Sequence, residues 1–180
     1  MLDPLTQALY RELAAWIAQR KAGRGCPIVG INGAQGSGKS TAAAFLSDEL
    51  SSAHGLKAVV LSLDDFYLPR AVRQELAIKV HPLFATRGVP GTHDTDLGIA
   101  VLKKLRALNR GETLAVPRFS KAEDDRMPAI AWSVVDGPAD VVLFEGWCVG
   151  LPPQPESELV EPANDLEASE DADGRWRRTV

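Results

Sequence analysis

The octapeptide Gly33-Ala34-Gln35-Gly36-Ser37-Gly38-Lys39-Ser40 contains three glycines followed by a lysine and a serine. Its spacing fits the pattern of a phosphate-binding loop, which connects a strand to a helix. The apolar run at 27–31 predicts a buried strand before it, and residues 40–50 predict a helix after it. This context favours a nucleotide-binding loop over a plain glycine-rich turn.

The residue types in this loop suit a triphosphate with magnesium. Glycines let backbone N–H groups turn toward phosphate oxygens, and the helix that follows adds its positive dipole end. Lys39 supplies a positive charge to the β- and γ-phosphates, and the Ser40 hydroxyl is a magnesium ligand. The sequence therefore predicts a nucleoside triphosphate with Mg²⁺ on residues 33–40.

Two further apolar runs, at 57–63 and 140–144, predict buried strands, and acidic residues follow both. In open α/β sheets, ligands bind beyond the carboxyl ends of the strands. Asp64 and Asp65 follow the first run, and either a base for an acceptor hydroxyl or a magnesium ligand is expected there. Glu145 follows the second run, where a Walker B acid would help hold the metal. The alternatives are turn carboxylates that cap the next segment, and a structural ion pair of Glu145 with Lys39 or an arginine.

The remaining pattern completes an α/β domain. A helix is predicted from Asp3-Pro4 to about Lys21, and another from Asp94 or Thr95 to Asn109. We expect one domain over 1–180, with a parallel sheet and flanking helices. Its parts are an N-terminal helix (1–24), a core for nucleotide and acceptor (26–150) with short strands at 113–119 and 131–135, an irregular region with a short helix (69–93), and an acidic, proline-rich segment (151–180).

Only three core strands are convincing in this pattern. A three-stranded parallel sheet leaves an open edge, which natural folds avoid. We therefore expect further sheet strands beyond Val180, or a homodimer that covers the edge.

Composition limits the partners. The formal net charge of −4 argues against a nucleic-acid partner, which requires a basic surface. Residues 1–20 mix apolar and charged positions, so they predict neither a signal peptide nor a membrane span. The two cysteines suit a reducing compartment, and the cytoplasm is the expected location.

Four basic residues in predicted loops are candidates for binding an anion: Arg87, Arg118, Lys121 and Arg126. Arginine suits this role because its planar guanidinium matches carboxylate and phosphate groups. Each of them could instead be a solvated loop charge. His93, between Thr92 and Asp94, could transfer a proton, form a hydrogen bond with the substrate or act as a local cap.

Five segments resemble the D-glycerate 3-kinase family of plants, with its fungal and bacterial relatives. They are GINGAQGSGKST (30–41), LSLDDFYLP (61–69), TRGVPGTHD (86–94), VPRFSKAEDDR (116–126) and VLFEGWCVG (142–150). That family belongs to the P-loop kinases, with the P-loop nucleoside triphosphate hydrolase fold, alongside uridine kinase, phosphoribulokinase and pantothenate kinase.

The resemblance implies a kinase that phosphorylates D-glycerate, an anionic hydroxy acid. ATP and Mg²⁺ would sit on Lys39, Ser40 and Thr41, with Asp64 as general base and Glu145 organising the metal. The acceptor pocket would be lined by Asp65, Tyr67, Arg87, His93, Asp94, Arg118, Lys121 and Arg126.

One segment departs from the family pattern. Residues 122–126 read Ala-Glu-Asp-Asp-Arg, and their carboxylates are expected to repel an anionic acceptor. A kinase for a uridine- or pantothenate-like acceptor therefore stays open. So does an ATP-binding module without phosphoryl transfer, which would not need Asp64 as a base.

Overall fold

A parallel three-stranded sheet forms the centre of the molecule. We describe residues 2–180 in a computed structural model. The central sheet contains β1 (Ile28–Asn32), β2 (Ala58–Ser62) and β7 (Val141–Gly146), in the order β1-β7-β2. Both outer strands run parallel to β7 and pair with it along their whole length.

The middle position of β7 explains its composition. Val141, Val142 and Leu143 have no exposed surface, because helices or loops cover both faces of the sheet. In register, Gly30 of β1 and Leu61 of β2 both lie beside Phe144. The carboxyl ends of all three strands therefore meet at one edge.

Helices α1 (Pro4–Lys21) and α2 (Lys39–His54) cover one face. Leu46 and Leu50 of α2 pack with Ile17 of α1 against the sheet. The α1 helix begins where predicted, with the Asp3 side chain accepting a hydrogen bond from the Thr6 N–H at 3.0 Å. The α2 helix runs four residues past the predicted end, and a glycine in the left-handed region stops it at position 55.

The other face carries α4 (Thr95–Ala107) and a two-stranded antiparallel sheet of β3 (Thr113–Val116) and β6 (Ser133–Asp136). Val101 and Leu105 of α4 belong to a buried cluster with Val59, Leu61 and Val142. This second core holds α4 against the sheet. The strand predicted at 113–119 is broken, because Pro117 and Arg118 separate β3 from the next strand.

Short elements surround the edge of the sheet at which the carboxyl ends of the strands meet. The 3₁₀ turn at Leu63–Phe66 follows β2, and α3 (Arg70–Lys79) follows that turn. The two-residue strands β4 (Phe119–Ser120) and β5 (Asp125–Arg126) pair with each other. A loop that includes Lys121 and Asp124 connects them.

Residues 151–180 fold back on the 81–91 region and include the short α5 (Asp165–Glu170). The side chain of Asp171 is fully buried and accepts hydrogen bonds from the backbone N–H groups of Trp176 and Arg177. The His81 ring lies 3.0 Å from the carbonyl of Glu170. The segment is therefore packed onto the domain.

The α/β fold with a parallel sheet and flanking helices is confirmed. Its three core strands lie where the sequence predicts them, within one or two residues. Among residues 2–180, the structure contains no helix long and apolar enough to cross a membrane.

Candidate active site

A cleft of about 1070 Å³ opens at the carboxyl edge of the sheet. Its wall combines the glycine-rich loop, the turn after β2, the 86–88 segment and the end of β7. The residues that line it are Ala34, Gln35, Gly36, Lys39, Ser40, Val60, Ser62, Asp64, Asp65, Tyr67, Thr86, Arg87, Gly88, Arg118, Lys121, Glu145, Gly146 and Trp147.

The glycine-rich loop has the backbone shape that phosphate binding requires. Gly36 and Gly38 have φ values of 77° and 90°, a region that favours glycine. Gly38 is the N-cap of α2, so the N–H groups of the first helical turn point out of the helix end. The Lys39 ammonium lies 3.0 Å from the carbonyl of Ala34, which holds it over the loop. The loop therefore presents N–H donors and one cation to the cleft.

Ser40 and Glu145 form the part of the cleft that suits magnesium. The Ser40 hydroxyl donates to Oε1 of Glu145 at 3.0 Å, and Glu145 is 6% exposed. Within residues 2–180 Glu145 forms no ion pair, so the alternative of a pair with Lys39 or an arginine is wrong. Mg²⁺ is typically bound by one or two carboxylates with substrate phosphates and water, so this pair fits it. That stretch of chain also holds no cluster of three or more His, Cys, Asp or Glu side chains arranged for a metal.

The two aspartates after β2 have different surroundings. Asp64 accepts a hydrogen bond from Lys121 at 2.6 Å, and both side chains reach solvent. Asp65 accepts from the Phe119 N–H at 3.1 Å and from Arg118 at 2.9 Å. Burial raises the pKa of Asp65 above its usual range, although these two donors act against it. Asp65 thus anchors β4, while Asp64 lines the cleft with Lys121 as its partner. Neither carboxylate caps the next segment.

Tyr67 and His93 form a stacked pair beside Asp64. Their ring centroids are 4.4 Å apart, and their backbones form an antiparallel bridge. Burial, together with the negative charge of Asp64, raises the pKa of Tyr67, so its hydroxyl stays protonated. Burial lowers the pKa of His93 to about 4, although the Asp64 carboxylate acts in the opposite direction. Nε2 of His93 is buried and has no hydrogen-bond partner among residues 2–180.

Asp94 and Arg126 lie behind the cleft wall with His93. The Asp94 side chain caps α4 by accepting from the Leu97 N–H at 3.1 Å. Its other oxygen accepts from Arg126 at 3.0 Å, and Arg126 also donates to the carbonyl of Tyr67 at 2.9 Å. The cap on this helix is therefore Asp94, and His93 is not the cap.

The acidic loop at 122–126 is tied back to the protein. Asp124 forms ion pairs with Arg73 and Arg87. Asp125 accepts from the backbone N–H groups of Arg70, at 2.9 Å, and Arg126, at 2.8 Å. Basic groups engage Asp124 and backbone donors engage Asp125, whereas repulsion of an anion by this loop stays a prediction.

The structure thus brings most of the predicted site residues into one cleft. Of the loop residues, Ser37 and Gly38 line a smaller hollow of about 210 Å³ under the loop, and Lys39 borders both cavities. Gly33 and Thr41 belong to neither wall. Of the acceptor residues, Asp65, Tyr67, Arg87, Arg118 and Lys121 reach the cleft.

The sequence pattern did not single out Trp147, which lines the cleft, or Arg73, which supports its wall. Trp147 lines the cleft, and its ring N–H donates to the carbonyl of Gly88 at 2.9 Å. Its position two residues after Glu145, at the end of β7, is the signal that could have identified it. Arg73 stands within a short helix, and nothing in the local sequence marks it.

Comparison with known proteins agrees with this geometry. The model of the phosphoribulokinase/uridine kinase family matches residues 28–151. The chain is similar to the chloroplastic D-glycerate 3-kinase of Arabidopsis thaliana, with 36% identity over 135 residues, which cover 71% of this chain and 29% of the plant protein. It is also similar to the uncharacterized kinase mug58 of Schizosaccharomyces pombe, with 38% identity over 70% of this chain and 47% of that protein.

A solved structure shares the fold. The D-glycerate 3-kinase of Cryptococcus neoformans var. grubii superposes with a TM-score of 0.74 at 31% identity, over 86% of this chain and 56% of that one. The chain therefore spans less than half of the two curated relatives and a little over half of this solved structure.

Proposed function

Because the chain belongs to the phosphoribulokinase/uridine kinase family, we propose that it transfers the γ-phosphoryl group of ATP to a hydroxyl of a small metabolite. One observation carries the proposal. The phosphate-binding loop, the Ser40–Glu145 pair and Asp64 line the same cleft. The residues to which we assign the donor, metal and base roles therefore line one cavity.

Each of these residues has a role in the proposed reaction. The loop N–H groups and Lys39 bind the phosphates, and Ser40 with Glu145 would hold Mg²⁺, which neutralises charge on the phosphate oxygens. The acceptor oxygen attacks the γ-phosphorus as the bond to the leaving ADP oxygen breaks. Asp64 accepts the proton of the acceptor hydroxyl. Catalysis of this kind consists mainly of positioning and charge stabilisation.

We propose D-glycerate as the leading acceptor. Its carboxylate needs a cation, and Arg87, Arg118 and Lys121 border the acceptor side of the cleft. The Lys121 side chain is 63% exposed and the Asp64 side chain is 32% exposed. Exposed ion pairs contribute about 0–1 kcal/mol to stability. An incoming carboxylate can therefore take Lys121 away from Asp64, which frees the base when the acceptor is bound.

The test is ADP release from ATP with Mg²⁺, using D-glycerate, uridine and pantothenate as acceptors. We expect turnover with D-glycerate that falls about 10²–10⁴-fold in Asp64→Asn, while ATP binding persists. Asp48→Asn, an exposed carboxylate on α2 outside the cleft, is the matched control. ATP binding without turnover on any acceptor would instead support a nucleotide-binding module. Turnover on uridine or pantothenate alone would replace the acceptor.

The cytoplasmic location and the homodimer stay predictions from the sequence.

A further inference from the structure

Arg73 on α3 is a charged side chain with no exposed surface. Its Nε donates to the carbonyl of Leu68 at 3.2 Å, and Nη1 donates to that of Ala85 at 2.8 Å. Nη2 donates to the carbonyl of Asp124 at 2.7 Å and lies 2.9 Å from the carboxylate of the same residue. Arginine is rarely buried so completely unless it is paired, so this guanidinium must be held by these partners.

The three segments that Arg73 joins all lead into the acceptor side of the cleft. Leu68 follows Tyr67, Ala85 lies two residues before Arg87, and Asp124 lies three residues after Lys121. One buried side chain therefore connects the turn after β2, the 86–88 wall and the loop between β4 and β5. It is the Arg73 side chain, and not the backbone of α3, that connects these three segments.

Asp124 is shared between two guanidinium groups. Its Oδ2 pairs with buried Arg73, and its Oδ1 accepts a hydrogen bond from Arg87 at the cleft. Hydrogen bonds from both arginines hold the pKa of Asp124 below its usual range, although partial burial acts against them. Asp124 also has a φ of 55°, which is uncommon for any residue except glycine. Two cations and one carboxylate leave this group with a net charge of +1.

We propose that Arg73 is a positioning residue of the acceptor site, which sets the charge of the cleft wall through Asp124. From inside the protein, the Arg73 guanidinium balances part of the negative charge of Asp124. One carboxylate oxygen of Asp124 consequently holds Arg87 in the wall of the cleft. Arg87 still keeps positive charge with which to bind an anionic group, either a carboxylate or a phosphate. That this anion belongs to the acceptor rests on the proposed function.

Inorganic sulfate is a probe that does not depend on the identity of the acceptor. Its affinity is measured by isothermal titration with saturating ADP and Mg²⁺, and Arg87→Gln defines the binding that does not involve Arg87. We expect Arg73→Met to weaken the Arg87-dependent part about tenfold or more, because Asp124 then neutralises Arg87 alone. The double variant Arg73→Met/Asp124→Asn should recover most of that affinity. Asp124→Asn alone should bind sulfate at least as tightly as the wild type.

A purely structural role predicts a different pattern. In that case Asp124→Asn would weaken sulfate binding as Arg73→Met does, and the double variant would be no better than either. That result would overturn the proposal, as would wild-type binding that does not change in Arg87→Gln. Thermal unfolding of each variant separates loss of fold from loss of affinity. If Arg73→Met does not fold, Asp124→Asn decides alone, because the two explanations predict opposite signs for it.

Kinetics with D-glycerate separate this proposal from the proposed function. If sulfate affinity follows the expected pattern but no acceptor is phosphorylated, the kinase function fails and the role of Arg73 stands. If D-glycerate is phosphorylated, Arg73→Met should raise its KM about tenfold and leave the KM for ATP unchanged. Equal D-glycerate KM values in the two proteins would refute the role of Arg73 and leave the kinase function intact.

Discussion

His93 should make the stability of the fold depend on pH. The ring is 8% exposed and stacks on Tyr67, and burial lowers its pKa to about 4 from the usual 6.5. The perturbation is His93→Gln, which removes the titrating group and keeps a polar side chain of similar size. The quantity to compare is the change in the free energy of unfolding with pH, since the absolute stability of the variant also reflects lost stacking.

The sign and the size follow from proton linkage. Well above pH 6.5 the imidazole is neutral in both states and contributes no pH dependence. Below pH 6.5 the unfolded chain binds a proton that the folded chain does not, so stability falls until the folded pKa near 4 is reached. A fall in pKa from 6.5 to about 4 corresponds to about 3 kcal/mol. Between pH 7 and pH 4, the wild type should lose about 3 kcal/mol more than His93→Gln.

Urea unfolding at half-unit steps from pH 7.5 to pH 4, followed by far-ultraviolet circular dichroism, measures this difference. Other groups also contribute to the pH dependence, among them Asp65, because burial raises its pKa. Their contributions are common to both proteins and cancel when the two curves are subtracted. Parallel curves for wild type and variant would refute the reasoning, because His93 would then have the same proton affinity in both states.

Two further predictions concern the metal and the core. Glu145→Gln keeps an acceptor for the Ser40 hydroxyl but removes the buried negative charge. ATP binding, measured by calorimetry, should therefore require a Mg²⁺ concentration at least about tenfold higher. An unchanged Mg²⁺ requirement would remove Glu145 from the metal site. Leu50→Ala empties a fully buried position between α1, α2 and the sheet and should cost about 2–5 kcal/mol in urea unfolding. Leu5→Ala, at a position 71% exposed, should change stability by less than about 0.5 kcal/mol and is the control.

The core strands could be predicted because burial on both faces leaves a simple signature. The segment at 140–144 is apolar at every position after its aspartate, as a central parallel strand requires. The order β1-β7-β2 could not be derived in the same way, since neighbouring strands are chosen by contacts between residues more than 80 positions apart. The end of α2 was misplaced for a local reason. Apolar periodicity stops at Leu50, but the backbone stays helical until a glycine permits the left-handed turn.

The positions of the residues proposed to bind the nucleotide were easier to predict than those of the residues proposed to bind the acceptor. Lys39 and Ser40 follow from a contiguous pattern, and Glu145 from its place at a strand end, so local spacing determines where they lie. Arg87 and Lys121 lie on separate loops, and each meets its carboxylate partner across more than 30 residues of sequence. Which cation pairs with which carboxylate is a tertiary property that spacing does not contain.

The acidic loop shows why a count of charges along the chain is an incomplete guide to the charge of the cleft wall. Glu123, Asp124 and Asp125 look like three negative charges beside Lys121, and their sum suggests repulsion of an anion. In the structure, the Asp125 carboxylate accepts hydrogen bonds from two backbone N–H groups. Asp124 pairs with two arginines, of which Arg73 has no contact with solvent. In the arrangement that we propose, the positive charge of buried Arg73 balances the Asp124 carboxylate, which would otherwise neutralise Arg87. The electrostatic character of this cleft therefore depends on a residue that never reaches its surface.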